Sequence, residues 1–366
     1  MKVNAAVATA PQTDLDIREL TLDEPRADEV TVRMVASGIC HTDAIVRDQW
    51  YPTPLPAVLG HEGSGIVEAV GADVTDLKVG DKVVLAPASC GLCENCIAGH
   101  PQYCVEFYDL NFGGSRKDGS KAFDDNGTAV SSNFFGQSSF ATATNVRARN
   151  AVKIDHNAPV ELLGPLGCGI MTGSGAVLNV LKPSPGESIA VFGTGAVGLS
   201  GMLAAKAAGA TTIIMVDIVP SRLEFAKELG ATHVVNSKEA DPVETIRELT
   251  AGRGVSYALD TTGVPSVFSQ MTKSLALRGH GALVGAAKLG TEAPFDIGTL
   301  LTSGINVSMV VEGDAVPREF VPKLISLYER GMFPFDKLVK TYDFKDINQA
   351  FADSESGSTI KPIVVY

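Results

Sequence analysis

Four of the chain's six cysteines, Cys90, Cys93, Cys96 and Cys104, fall within the run "SCGLCENCIAGHPQYC" of a 366-residue sequence. Their spacing, Cys-x2-Cys-x2-Cys-x7-Cys, admits two chemistries: disulfides, or four thiolates around one cation. Tight Cys-x2-Cys turns hold sulfurs at the separation a tetrahedral zinc requires, with Zn–S about 2.3 Å. Four sulfurs close the shell, so such an ion would brace a lobe too poor in large apolar side chains to fold alone. An iron–sulfur cluster is the competing metal reading; against it stand the spacing and the lack of a proline after Cys104.

The other two cysteines stand in "GICHTDAIV", which holds Cys40, His41, Thr42 and Asp43, and in "GPLGCGI", which holds Cys168. Between them "LGHEGSGIV" supplies His61 and Glu62. Alone, a histidine beside a glycine is a turn residue and a lone cysteine is a small buried hydrophobe. Together, Cys40, His61 and Cys168 make a three-ligand shell with one open position, the ligand set of a catalytic zinc.

Cys40-His41-Thr42-Asp43, Gly60-His61-Glu62, the four-cysteine lobe, Cys168 in its glycine-rich turn and the later "GTGAVG" resemble the zinc-dependent medium-chain alcohol dehydrogenases in order and spacing along the whole chain. The stretch "GICHTDAIVRDQWYPTPLPAVLGHEGSGIVEAVG" is most similar to the aryl-alcohol (benzyl alcohol) branch, which also acts on allylic alcohols such as geraniol. The resemblance implies two zinc ions per chain, a catalytic one at Cys40, His61 and Cys168 and a structural one at the four clustered cysteines. It implies that Thr42 takes the alcohol proton and passes it to the nicotinamide ribose, that Asp43 orients His61, and that Glu62 sits behind the metal. His41 and Lys361 would face the cofactor pyrophosphate, and Arg222 would flank the adenosine ribose. Where many family members carry a histidine that ends the proton relay, this chain has Ile45. His41, Arg47 or direct release from the ribose remain open as its substitute. Around the open metal position the resemblance places Trp50 or Tyr51, Ala86, Leu110, Phe134, Phe135 and Ala286, a wide apolar slot with flat faces suited to planar primary alcohols.

These groups need a scaffold, and part of it reads without the family. The run "ESIAVFGTGAVGLSGMLAAKAAGATTIIMVDIVPSRLEFAKELGATHVVNS" proceeds as apolar strand, glycine loop, Ala-rich helix, apolar strand, acidic residue and second helix. Gly193, Gly195 and Gly198 form G-x-G-x-x-G, with Ala196 and Val197 between the last two, at a helix start that can hold a pyrophosphate. Asp217 ends the next strand, where a carboxylate would accept ribose hydroxyls from NAD; its plain alternative is a helix-entry acid. Strands "VSYALDTTG", "GALVGAA" and "INVSMVV" bring the total to about six, an open doubly wound parallel sheet. Short glycine-broken runs such as "EVTVRMVASG" and "DKVVLAP" make the N-terminal part β-rich and barrel-like. The expected fold is α/β: a Rossmann NAD-binding domain over 170–310 and a β-rich catalytic domain over 1–169 and 311–366, which the resemblance implies is GroES-like and is rejoined by the tail "KPIVVY".

Two domains also suit a length beyond the roughly 250–300 residues that one core serves. The 42 acidic against 30 basic residues give a net charge of -12, which disfavours nucleic acid and anionic membranes as partners. The uncharged runs "LLGPLGCGIMTGSGAVLNVL" and "SIAVFGTGAVGLSGMLAA" are too rich in glycine and serine to read as membrane spans. "AAVATA" follows a single lysine and runs into polar sequence, so the chain is expected in the cytoplasm, where reduced thiols favour metal over disulfides. A homo-oligomer, dimer or tetramer, is expected, with a small alcohol or aldehyde as partner. The alternatives are a short-chain alkyl alcohol dehydrogenase and a protein that binds NAD or serves structure without chemistry. Against the last stand Cys40, His61 and Cys168, all present.

Overall fold

The strand Glu29–Gly38, "EVTVRMVASG", is buried along nearly its whole length and takes partners on both edges. In a computed structural model that describes residues 1–155 and 157–366, it lies at the centre of a seven-stranded sheet. Glu62–Val70 pairs with it antiparallel, with Ser37 opposite Gly63 and Gly38 opposite Glu62. That register sets the segment after Gly38, which carries Cys40, beside the segment before Glu62, which carries His61. On the opposite edge lies the C-terminal strand Lys361–Val365, itself paired with Val339–Asp343. A second, five-stranded sheet runs Ala57–Val58, Lys2–Ala8, Asp16–Leu22, Phe123–Asp125, Thr128–Val130. Leu20, Leu22, Val58, Phe123 and Phe140 form its core, while Val30, Val32, Val67, Val83 and Leu85 fill the core of the seven-stranded sheet.

These elements belong to one of two units, which comprises Met1–Gly169, Val316–Glu329 and Asp336–Tyr366. The tail returns at Val316, and Arg330–Phe335 groups with the other unit, Ile170–Ala315.

In that second unit six strands lie in the order His233–Asn236, Thr212–Asp217, Ser188–Phe192, Val255–Asp260, Leu275–Leu283, Asn306–Met309, every pair parallel. Numbered along the chain this is 3-2-1-4-5-6, the doubly wound order expected from the sequence. Its central strands read as continuous apolar runs because helices cover both faces. Pro220, Pro242 and Pro265 open three of those helices, where the missing N–H costs nothing. The run "LLGPLGCGIMTGSGAVLNVL" breaks into short helical pieces, and among the described residues no helix is long and apolar enough to cross a membrane.

Candidate active site and metal centres

Cys40 sits in extended backbone just before the helix His41–Arg47, and its N–H donates to Asp43 Oδ2 at 2.9 Å. Asp43 is fully buried, and its Oδ1 accepts from Gly60 N at 3.2 Å and from His61 Nδ1 at 2.8 Å. Nδ1 is committed to that carboxylate, and Nε2 is buried without a hydrogen-bond partner. Ligand atoms of Cys40, His61, Glu62 and Cys168 all lie within 4.8 Å of one another. Hydrogen bonding to Cys168 holds the Cys40 thiol well below its usual range against the opposing effect of burial, with the Lys361 charge adding to the depression. An orphaned imidazole nitrogen beside two thiols, one of them acidified, fits a zinc ion with one open position.

Glu62 is not a free fourth ligand. Its Oε1 accepts from Gly169 N at 3.0 Å and Lys361 Nζ at 2.9 Å, and its Oε2 accepts from Lys361 Nζ at 2.8 Å. Lys361 also donates to Ile39 O at 3.1 Å. The Lys361 ammonium is buried with three acceptors for three protons, because a cation removed from water must find a carboxylate.

Thr42 Oγ1 lies 3.8 Å from Cys40 Sγ, and His41 is solvent-exposed at the helix start. Ile45 is buried, and Arg47 pairs with Asp48 and Glu355, each at 2.8 Å.

Over the imidazole lies an aromatic wall. Phe135 stacks on His61 at 4.5 Å between centroids, and Phe134 meets it edge-on at 5.4 Å. Phe112 packs edge-on against both phenylalanines, Phe107 against Phe135, and Tyr51 against Phe112. Phe107 and Phe112 were not read from the sequence; the aromatic-rich "FYDLNF" was their signal. Phe134 and Phe135 ride on a turn in which Asn133, Phe135 and Ser138 have positive φ, each costing of order 1–3 kcal/mol. Tertiary bonds hold it: Ser138 Oγ donates to Val58 O at 2.7 Å and accepts from Phe134 N at 3.0 Å. Of the other expected slot residues, Ala86 is buried, Trp50 is 52% exposed, and Leu110 lines a cavity of about 280 Å³ with Ala88, Asn133, Gly136 and Asn150. Ala286 belongs to the second unit and is exposed there.

In the four-cysteine lobe all sulfurs lie within 4.8 Å of one another, Cys90 to Cys96 and Cys93 to Cys104 at 4.0 Å. A disulfide needs about 2.05 Å, and all six cysteines are free. Backbone N–H groups of Leu92 and Cys93 point at Cys90 Sγ, and that of Cys90 points at Cys104 Sγ. Burial pushes the Cys104 thiol up to about 12, while N–H donors from Val105 and Cys96 bring Cys93 down to about 6. Four such sulfurs become thiolates together only around a cation, and their spread fits one zinc.

At the second unit's glycine loop, Gly193 has φ +98, and a Cβ on Gly198 would run into the Gly193 carbonyl. Nothing lies within 4 Å of a Cβ built on Gly195, which leaves its backbone open to a ligand. Ala196 and Val197 begin the helix Ala196–Ala207. Asp217 Oδ2 accepts from Thr194 N and Oγ1 at 2.7 and 2.6 Å, tying the loop to the neighbouring strand, a tether the sequence did not reveal. Arg222 lies half-buried on the helix Pro220–Leu229.

Comparison with known proteins agrees with this geometry. Residues 26–156 match the alcohol dehydrogenase GroES-like domain, and residues 196–330 the zinc-binding dehydrogenase family. Geraniol dehydrogenase of Castellaniella defragrans is 43% identical over 368 residues, spanning 100% of this chain and 98% of that one. The structure of benzyl alcohol dehydrogenase from Acinetobacter calcoaceticus superposes with TM-score 0.97 at 52% identity, covering 100% of this chain and 99% of the other. An alcohol dehydrogenase zinc-binding domain protein from Burkholderia ambifaria gives TM-score 0.98 at 56% identity over the same shares. The chain belongs to the zinc-dependent medium-chain alcohol dehydrogenase family, on its aryl-alcohol branch.

Proposed function

We propose that the protein oxidises primary aromatic and allylic alcohols, of the benzyl alcohol and geraniol type, to aldehydes with NAD. The first unit is the catalytic one, with zinc at Cys40, His61 and Cys168 and a second, structural zinc at Cys90, Cys93, Cys96 and Cys104; the second unit binds NAD. The observation that carries the reading is the aromatic wall beside the ligand imidazole, with Phe135 stacked on it and Phe134 edge-on to both rings. When bound, zinc supplies Lewis acidity that makes an alcohol hydroxyl acidic at neutral pH. Asp43 keeps the His61 imidazole in the tautomer that offers Nε2. Thr42 would accept the hydroxyl proton and hand it on, with exposed His41 as its route to solvent, and a bound nicotinamide would supply the hydride acceptor. The phenylalanines hold the substrate ring and keep water from the hydride path. Six free thiols suit a reducing cytoplasm, and the enzyme works there as a homo-oligomer, dimer or tetramer.

Burying a ring face of about 100 Å² contributes roughly 2.5 kcal/mol at about 25 cal/mol per Å². Benzyl alcohol and geraniol should therefore exceed ethanol in kcat/KM by at least about tenfold, with hexanol between. Steady-state kinetics with NAD decide this, and equal or better use of ethanol returns the protein to the short-chain alkyl reading.

Cofactor choice rests on Asp217. Its carboxylate accepts from a free ribose 2'-hydroxyl but repels a 2'-phosphate carrying close to two negative charges. Asp217→Ser removes that repulsion and also the Thr194 tether, so KM for NAD should rise while the NAD-over-NADP preference shrinks by about tenfold, or about 1.4 kcal/mol. A wild-type enzyme faster with NADP at equal concentration would overturn the assignment.

A further inference from the structure

Gln137 is fully buried, three residues after Phe134. Its side-chain Nε2 donates to His61 O at 2.9 Å, and its Oε1 accepts from Gly63 N at 3.0 Å. These two main-chain groups flank Glu62 at the beginning of the strand Glu62–Val70. On one edge of that strand the ladder to Glu29–Gly38 continues as far as Glu62, but on the other edge Lys82–Leu85 pairs only with Ser64, Gly65 and Ile66. His61 and Gly63 thus lie beyond the residues paired with that second strand. A carboxamide presents an acceptor and a donor as a peptide group does, so Gln137 continues the ladder where the pairing with Lys82–Leu85 has stopped.

The main chain of Gln137 is fixed equally firmly on the other side. Its N–H donates to Phe134 O at 3.0 Å, and its carbonyl accepts from Thr144 Oγ1. One buried side chain therefore links the turn that carries Phe134 and Phe135 to the segment that carries His61. Ser139 N to Gly60 O at 2.9 Å and Phe140 N to Leu59 O at 3.0 Å already pair the chain after the turn with the chain before His61, and Gln137 carries that directional pairing across His61 to Gly63.

We propose that Gln137 is a positioning residue that fixes the His61 segment against the Phe134–Phe135 wall, and so sets both the retention of the catalytic metal and the preference for planar alcohols. The selectivity half rests on the proposed substrate class; the metal half does not. The test uses the purified zinc-loaded enzyme and Gln137→Met, which keeps the chain length and volume but makes neither bond. Three quantities are read: the benzyl alcohol to hexanol ratio of kcat/KM, the rate at which a chelator removes the faster-released zinc equivalent, and the thermal midpoint. The ratio is expected to fall about tenfold, mostly through KM for benzyl alcohol, and zinc release to quicken about tenfold. Gln137→Glu retains an acceptor for Gly63 N but sets an oxygen against His61 O; it should shift both readouts in the same direction, and it carries the test if Gln137→Met does not fold. Variants that lose thermal stability while keeping the wild-type ratio and release rate overturn the proposal. A wild-type enzyme that prefers hexanol overturns the substrate reading instead, and zinc release alone then decides the role of Gln137.

Discussion

Cys168→Ser is expected to lower kcat/KM for benzyl alcohol by about three orders of magnitude, or about 4 kcal/mol at about 1.4 kcal/mol per decade, while the thermal midpoint stays near that of the wild type. Serine keeps nearly the shape of cysteine in the turn after Gly164–Gly167, so the local packing survives. What disappears is a thiolate donor in a shell that Glu62 cannot complete, since Lys361 and Gly169 N occupy both of its oxygens. Elemental analysis should then find about one zinc per chain in place of two. The same change at Cys96 reverses the pattern. Around those four sulfurs Leu92 and Ile97 are 82% and 75% exposed, so the lobe has no apolar core to fall back on. Zinc loss there should appear as a lower melting temperature, with activity lost through unfolding. Two variants that both lost activity at full stability would contradict this division between catalytic and structural metal.

Lys361→Met should destabilise the protein by about 3–5 kcal/mol, the cost of leaving one member of a buried ion pair uncompensated. Glu62 would keep a single donor, Gly169 N, for a fully buried carboxylate. Removing the charge at both ends, as in Glu62→Leu with Lys361→Met, should recover most of that loss, because an apolar pair of similar volume is often as stable as the ions it replaces. Denaturant unfolding of the two variants, each stripped of metal, checks both statements. A single variant as stable as the wild type would show that the pair contributes nothing to the fold.

The sequence was most informative where chemistry is local. Cys-x2-Cys turns bring sulfurs together whatever the rest of the chain does, and a glycine loop between an apolar strand and an Ala-rich helix has few other readings. The parallel sheet followed from its strand and helix alternation. Long-range partnerships were hidden. Nothing near Lys361 announces Glu62, 299 residues earlier. Gln137 reads as an ordinary polar residue after a glycine, since its role exists only because the pairing with Lys82–Leu85 ends at Ser64. The left-handed turn at Asn133 and Phe135 opposes local preference, so propensity could not have found it; tertiary bonds to Val58 and within the turn hold it in place. Thr194, lying between two glycines, gave no sign that its N–H and hydroxyl would hold Asp217.

The strand Lys361–Val365 also orders events in time. At about 5–20 residues per second, a ribosome takes roughly 15–60 s to add the 299 positions that separate Glu62 from Lys361. During that interval the nascent chain has exposed both halves of the metal cluster, Cys40 with His61 and then Cys168, while the carboxylate behind them lacks its cation and the strand Glu29–Gly38 lacks one neighbour. The second unit, Ile170–Ala315 with Arg330–Phe335, has by then been synthesised entire. The first unit therefore cannot complete its seven-stranded sheet until after the second unit has been synthesised.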